Sequence, residues 1–169
     1  MNIGIVYYSR SGNTKKVAEL LRDKIKSKKI NAELLEIKHT KKPGFFKAAR
    51  AAMKQTEMPI SNSYFDLSKY DTIIVGSPTW ASKASPYVKS FFNKAEKYKG
   101  KKAGIFFTSS GETEKAKTGD QLKEYLDSIG LETSDNIIGL QMKKEEIKEG
   151  KENIEDFIKS MLQKYITYF

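Results

Sequence analysis

The chain has 169 residues, one histidine and no cysteine, and 31 basic against 21 acidic side chains give it a formal net charge of +10. Its length fits one domain with a buried core, and 38% hydrophobic with 31% charged residues is typical of a soluble globular protein. The missing cysteines exclude disulfide scaffolds, thiolate zinc sites, iron–sulfur clusters and cysteine nucleophiles, and the lone His39 excludes multi-histidine metal sites. Difficult chemistry therefore depends on carboxylates, hydroxyls, lysines or a bound cofactor.

The predicted elements alternate along the chain. Strand-like apolar runs lie at 2–8, 32–37, 72–77, 103–108 and 133–140, and helical periodicity lies at 14–28, 86–97, 119–129 and 151–166. Such alternation predicts βαβ units, a parallel sheet and helices on both faces. We therefore expect one α/β domain over 1–169, built as a three-layer doubly wound sheet.

An extra segment separates the second and third predicted strands. Residues 43–57 predict a helix after Pro43-Gly44, and residues 58–71 predict a polar connection. One helix face carries the apolar side chains and another the basic ones: Phe45, Ala49, Ala52 and Met53 against Lys47, Arg50 and Lys54. This segment is either a ligand or partner surface, or a helix packed on the domain by Phe45 and Phe46 with solvated lysines.

The excess positive charge lies in the first third of the chain. Residues 1–58 carry 14 basic and five acidic side chains, whereas residues 59–169 carry 17 and 16. Only three of the basic residues are arginines, so the lysine excess disfavours specific reading of DNA bases. An anionic ligand or partner, or a solvated lysine-rich surface, explains the charge better than nucleic acid does.

No segment has the features of a signal peptide or a membrane span. The opening apolar run at 2–8 is too short and has no basic region before it. No run approaches the roughly 18–20 apolar residues that a transmembrane helix needs. We expect a cytoplasmic protein without stable membrane insertion.

A polar loop joins the first strand to the first helix. Its sequence, Ser9-Arg10-Ser11-Gly12-Asn13-Thr14, places four hydroxyl or amide side chains around one glycine at a helix N-terminus. Converging backbone N–H groups at such a position suit a phosphate. Ordinary helix capping is the alternative, but it needs only one such residue. The loop is neither a Walker A loop nor the dinucleotide fingerprint.

Two further loops follow the third and fourth strands, at the edge where ligands bind in doubly wound sheets. The second loop, Gly76-Ser77-Pro78-Thr79-Trp80, ends in the only tryptophan of the chain. The third loop, Thr108-Ser109-Ser110-Gly111-Glu112-Thr113, is again small and hydroxylic. An aromatic ring opposite a phosphate loop indicates stacking on a planar ligand.

In this order, the three loops resemble those of the flavodoxin family over nearly the whole chain. The first loop matches the family signature S/T-x-S/T-G-N-T at every position. The resemblance implies a five-stranded parallel sheet of order 2-1-3-4-5 and a non-covalent FMN. It implies that the phosphate is held by Ser9, Ser11, Gly12, Asn13 and Thr14, with Arg10 close enough to add charge. The isoalloxazine would be flanked by Ser77, Pro78, Thr79 and the stacking Trp80, and its polar edge contacted by Ser109, Ser110 and Gly111. The adjoining Ala81 and Thr108 complete the expected cofactor-binding residues.

The chain departs from the flavodoxin pattern in three ways. Flavodoxins are usually acidic, whereas this chain is basic. Ala81-Ser82 stands where many flavodoxins have a Gly–acidic pair, and alanine is poorly suited to a turn that requires positive φ. Both changes favour two-electron over one-electron chemistry. The third loop also lacks the aromatic that often covers the other flavin face, and segment 38–57 is a candidate for that cover.

These features predict an FMN-binding flavoprotein that carries electrons between a reductase and an acceptor, without catalytic residues of its own. The alternative is a flavodoxin-like NAD(P)H:quinone or flavin oxidoreductase that transfers hydride, and the basic surface and Ala81-Ser82 favour it. A flavin-free module that binds anions or nucleic acid is a distant third. The expected partners are an acidic redox protein, an anionic nucleotide or a quinone, with the chain acting as a monomer or weak dimer.

Overall fold

Five long strands and five helices alternate along the part of the chain that the computed structural model describes, residues 1–41, 43–109, 115–141 and 154–162. The strands are β1 (Asn2–Tyr8), β2 (Asn31–Ile37), β3 (Thr72–Trp80), β4 (Lys102–Ser109) and β5 (Glu132–Gln141). The helices are α1 (Asn13–Ser27), α2 (Phe45–Lys54), α3 (Tyr87–Phe92), α4 (Lys115–Ser128) and α5 (154–162). None of these helices combines the length and apolar character needed to cross a membrane.

The five strands form one parallel sheet in the order β2-β1-β3-β4-β5. The predicted α/β class and the order 2-1-3-4-5 are therefore confirmed. From β1 the chain moves outward to β2, then returns past β1 to β3 and continues in the opposite direction. The switch point between β1 and β3 places the carboxyl ends of β1, β3 and β4 side by side, where a doubly wound sheet binds its ligand.

Two hydrophobic cores lie on opposite faces of the sheet. Alternate residues of β1 serve each core, with Ile3 and Ile5 on one face and Val6 and Tyr8 on the other. The core around Ile3 and Ile5 is covered by α1 and α5, and the core around Val6 and Tyr8 is covered by α3 and α4. Because both faces are covered, the strands read as continuous apolar runs.

The connection at 58–71 is not the polar linker that its sequence predicts. Met58, Ile60, Leu67 and Tyr70 are all buried in the core on the α3 and α4 side. A two-residue strand, Phe65–Asp66, also pairs in parallel with Ala95–Glu96. Because Ala95 and Glu96 pair as a strand, α3 ends at Phe92, although helical periodicity in the sequence continues to residue 97.

The inner face of α2 also differs from the prediction. Ala52 is buried as predicted, together with Ala48 and Ala51, whereas Met53, predicted on the same face as Ala52, is 64% exposed. Phe46, the alternative anchor, is 87% exposed. The periodicity gave the wrong face because large apolar side chains such as Met53 and Phe46 dominate an apolar pattern. The three alanines carry less weight in that pattern, but their small size lets the helix backbone lie close to the domain.

Gly76 fixes the spacing between β3 and its neighbour β4. It lies opposite Phe106 in the parallel register, and the phenyl ring covers its Cα. A Cβ built on Gly76 would lie 2.0 Å from Cζ of Phe106, far inside van der Waals contact. We therefore expect Gly76→Ala to lower the free energy of unfolding by about 1–3 kcal/mol, measured by urea denaturation.

A double-mutant cycle tests whether the ring is the cause. Phe106→Leu alone removes buried surface and destabilises the protein. Combined with Gly76→Ala, it opens room for the new methyl group. The double variant should therefore lose less unfolding free energy than the sum of the two single losses. Strict additivity would contradict the proposed clash.

Candidate functional site

The loop after β1 forms a cradle of backbone donors at the start of α1. Gly12 precedes the helix with φ of 93°, a left-handed conformation, and its N–H donates to Ser9 Oγ at 3.1 Å. No side chain caps α1, and its first turn holds no acidic residue. The first N–H groups of α1 therefore point, together with the positive end of its dipole, at a position that suits a dianionic phosphate.

A buried hydrogen bond ties this cradle to the third loop. The hydroxyls of Thr14 and Thr108 lie 2.9 Å apart, and both residues are almost fully buried. Ser109, the last residue of β4, is also buried. Ser110 and Gly111, which the flavodoxin resemblance assigns to the ring edge, lie outside the described residues. The base of the third loop is thus fixed against the first loop.

The loop after β3 is a tight hairpin. β3 continues beyond the predicted residue 77 to Trp80, and Trp80 pairs antiparallel with Lys83 across the two-residue turn Ala81-Ser82. Ser77 is fully buried beneath it, where its hydroxyl donates to Pro78 O at 2.9 Å and accepts from the Ser85 N–H at 2.8 Å. The Ser77 hydroxyl therefore stabilises the hairpin through two hydrogen bonds.

A second set of contacts ties this hairpin to α4. The hydroxyl of Thr79 donates to Thr118 Oγ1 at 3.2 Å. The Ala84 N–H donates to Gln121 Oε1 at 2.9 Å. The hairpin is therefore held from its base and from one side, which fixes the position of Trp80 at its tip.

Both turn residues adopt the conformation that alanine was expected to disfavour. Ala81 has φ of 49° and Ser82 has φ of 60°. Positive φ at both central residues is the type I′ pattern, which the right-handed twist of a hairpin favours and which Asn-Gly adopts most easily. The turn therefore forms with two residues in the left-handed region, held there by the hairpin pairing and the contacts to α4.

Four aromatic rings meet beneath the first two loops. Tyr8 and Tyr87 are fully buried and stacked, with ring centroids 4.2 Å apart. The rings of Trp80 and His39 each meet Tyr8 edge-on, at 5.5 Å and 5.9 Å. Burial raises the pKa of the Tyr8 hydroxyl far above its ordinary value, so it stays protonated and polar at neutral pH. The cluster gives the half-buried Trp80 a rigid support.

Sequence reasoning identified Trp80 but did not find this cluster. Its residues come from β1, the segment after β2, the β3 hairpin and α3, so no local pattern joins them. His39, interpreted from sequence as a solvated loop residue, lies with Nδ1 3.4 Å from Tyr8 Oη. It is held there by an antiparallel bridge with Ile60.

The segment around α2 lies against both loops. At its start, Arg10 Nε of the first loop donates to Pro43 O at 3.4 Å. At its end, Gln55 Nε2 donates to Ala84 O at 3.4 Å, and Lys83 Nζ donates to Met53 O at 3.3 Å. Arg10 is thus engaged with segment 38–57, and α2 runs from the phosphate cradle to the aromatic hairpin.

These residues fit FMN. The cradle supplies uncapped backbone N–H donors for a phosphate. The hairpin supplies a firmly supported aromatic ring on the adjacent strand. The cradle and the hairpin lie close together because β1 and β3 are adjacent strands, with Tyr7 opposite Gly76. Phosphate donors, an aromatic platform and a parallel sheet of this order together define a flavodoxin-like FMN-binding flavoprotein.

The comparisons with known proteins agree with this class. The family model for NADPH-dependent FMN reductase matches residues 1–140. The chain therefore belongs to that family, and FMN is its cofactor.

Solved structures share the fold along nearly the whole chain. A flavoprotein from Lactobacillus acidophilus, crystallised in complex with FMN, is 28% identical with a TM-score of 0.66, and the match covers 88% of this chain and 97% of that one. Oxidised flavodoxin 2 from Bacillus cereus is 21% identical with a TM-score of 0.67, covering 97% and 99% of the two chains. At this lower identity the likeness to flavodoxin 2 establishes the fold.

A fungal protein is also similar in sequence. Minor allergen Alt a 7 of Alternaria alternata is 28% identical over 113 residues. The match covers 63% of this chain but only 55% of that protein, so it spans about half of the relative.

Gly12 provides a test of the phosphate cradle. Alanine at φ of 93° is strained, and the loop must shift to relieve it. We expect Gly12→Ala to weaken FMN binding at least tenfold, about 1.4 kcal/mol, with little effect on riboflavin, which lacks the phosphate. Fluorescence quenching on titration of both flavins measures the difference.

Gly100 offers a matched control. It has φ of 75°, has open space around it like Gly12, and lies just before β4 at the opposite edge of the sheet. Gly100→Ala should carry a similar backbone strain and leave FMN affinity unchanged. Equal losses of FMN affinity in the two variants would contradict a local role for Gly12.

The strained hairpin turn makes a separate prediction. Because glycine adopts positive φ without steric cost, Ser82→Gly should raise the free energy of unfolding by about 1 kcal/mol. Ser82→Val, which places a branched side chain in the same conformation, should lower it. Chemical denaturation of both variants checks the sign, and a loss of stability in Ser82→Gly would show that the turn is not strained.

Proposed function

We propose that this protein is an NAD(P)H-dependent FMN oxidoreductase that works by two-electron transfer. The observation that carries the proposal is the match of residues 1–140 to the NADPH-dependent FMN reductase family. It supports the hydride-transferring alternative over the electron carrier that the sequence alone favoured. Flavodoxins share the fold, and fold alone does not separate carriers from enzymes.

The chemistry belongs to the cofactor, and the chain positions it. FMN, if held there, would supply two-electron chemistry: transfer of a hydride from a reduced nicotinamide and of two electrons to an acceptor such as a quinone. The overall reaction balances as NAD(P)H plus quinone plus one proton giving NAD(P)⁺ plus hydroquinone.

The residues of this chain have three roles in that reaction. The N–H groups at the start of α1 would hold the phosphate of the cofactor. The supported Trp80 ring lies on the strand next to the cradle and keeps water from one side of the site. The excess of basic side chains in residues 1–58 stabilises negative charge on an anionic nucleotide or on the reduced cofactor.

The electron-carrier function makes a different prediction from the enzyme. A carrier depends on a separate reductase, and its cofactor is not reduced by NAD(P)H at a useful rate. An enzyme of the proposed type is reduced directly and turns over with a small quinone.

The decisive experiment is an assay without an added reductase. The protein, saturated with FMN, is mixed with NADPH or NADH, and reduction of the cofactor is followed by stopped-flow absorbance at 450 nm. Steady-state oxidation of the nucleotide is then measured with menadione as acceptor. We expect direct reduction, sustained turnover and, in an equilibrium reductive titration, a single two-electron step.

Two results would decide against the enzyme. Absence of reduction by both nucleotides, with normal reduction by dithionite, would favour the carrier. Turnover equal to that of free FMN at the same concentration would show that the protein adds nothing. The Gly12→Ala variant at limiting FMN is the internal control, because its turnover should fall with the occupancy of the cofactor.

A further inference from the structure

The outer face of α2 carries an unusual combination of side chains. The helix packs on the domain through Ala48, Ala51 and Ala52. The exposed large side chains of the helix point away from the domain. We define the α2 outer face by its five exposed large residues, Phe46, Lys47, Arg50, Met53 and Lys54.

Two apolar side chains on this face are strongly exposed. Phe46 is 87% and Met53 is 64% accessible. Among the described residues only two other large hydrophobic side chains are classed as exposed, Met1 and Tyr64. Phe46 and Met53 are seven residues apart, so they lie on one side of the helix with about 10 Å between them along the axis.

Three cations lie in a second stripe beside them. Lys47, Arg50 and Lys54 are exposed, and within the described part of the chain none of their side chains forms a hydrogen bond or ion pair. At 3.6 residues per turn, they occupy the arc between the apolar stripe and the buried alanines. The α2 outer face is therefore amphipathic, with an apolar edge next to a cationic edge.

The position of α2 ties this face to the cofactor site. The segment contacts the phosphate loop at one end, through Arg10 and Pro43, and the aromatic hairpin at the other, through Gln55 and Ala84. A surface that binds the α2 outer face is consequently brought to the edge of the sheet where FMN binds.

The charges decide which kind of surface fits. A second copy of the chain, paired symmetrically through α2, would bring three cations against three cations. An anionic surface is complementary to them. A folded acidic protein would need pockets matched to two separate apolar side chains, whereas a lipid bilayer accepts an aromatic and a thioether side chain at any spacing beneath its headgroups.

We propose that the α2 outer face docks the protein on an anionic lipid bilayer. The phenyl ring of Phe46 and the side chain of Met53 enter the interface between headgroups and acyl chains, and Lys47, Arg50 and Lys54 contact the lipid phosphates. If the proposed quinone reduction is correct, docking also presents the cofactor edge to an acceptor dissolved in the bilayer.

Vesicle binding tests the proposal without relying on turnover. FMN-loaded protein is co-sedimented with unilamellar vesicles of phosphatidylcholine alone or with 30% phosphatidylglycerol. We expect binding to the anionic vesicles only, weakened by salt. Phe46→Ser should reduce that binding at least fivefold, and the triple variant Lys47→Glu, Arg50→Glu, Lys54→Glu should abolish it.

A matched variant separates a local surface from net charge. The triple variant Lys26→Glu, Lys28→Glu, Lys29→Glu changes the net charge equally, but its residues are exposed at the end of α1, at the opposite edge of the sheet. It should bind anionic vesicles nearly as well as the wild type. Equal losses in the two triple variants would overturn the proposal, as would the absence of vesicle binding.

Poly-L-glutamate serves as the probe for an acidic protein partner. If it binds the protein while vesicles do not, and Phe46→Ser leaves its affinity unchanged, the face is a docking site for an acidic protein and the lipid proposal is wrong. Vesicle binding by a protein that reduces no quinone, soluble or embedded, would instead preserve the docking and reject the proposed function. Bound FMN and the far-ultraviolet circular dichroism confirm folding of each variant.

Discussion

The site depends on the parallel pairing of β3 with β1 on one side and β4 on the other. In that register Tyr7, Gly76 and Phe106 form one row across the sheet, and the Phe106 ring lies directly on the Cα of Gly76. This close packing brings the ends of the three strands together. The phosphate cradle, the aromatic hairpin and the base of the third loop are neighbours for this reason, although they are separated by up to 100 residues in the chain.

Contacts between loops turn this neighbourhood into a fixed site. The Thr14–Thr108 hydrogen bond joins the first and third loops, and Ser77, Thr79 and Gln121 hold the second. The stacked pair of Tyr8 and Tyr87 supports Trp80 from below. These contacts stabilise the strained turn at Ala81-Ser82, because two consecutive non-glycine residues keep a left-handed conformation only where the surrounding structure holds them. Because the site is already ordered, it loses little conformational entropy when a flat cofactor binds, and this favours binding.

The positive charge takes on meaning from its position. On the sequence it is an excess in residues 1–58, unusual for a chain that resembles flavodoxins. In the structure part of it is neutralised, as with Lys15 and Glu36 or Lys24 and Glu155. Within the part of the chain that the structure describes, the side chains of the α2 cations form no ion pair, and they lie beside the loops of the candidate cofactor site. The same helix can therefore serve the anionic substrate of the proposed reaction and the anionic bilayer of the proposed docking.

The sequence by itself determined the fold class and, through its flavodoxin resemblance, the strand order and FMN as the cofactor. These were readable because they rest on local patterns: apolar runs, helical period, and a six-residue loop from Ser9 to Thr14 that lies wholly between one strand and one helix. The tertiary structure alone decided the orientation of α2, the burial of the 58–71 connection and the assembly of Tyr8, His39, Trp80 and Tyr87. Each of these depends on contacts between distant segments, and on alanines whose small size, rather than their hydrophobicity, selected the packed face of a helix.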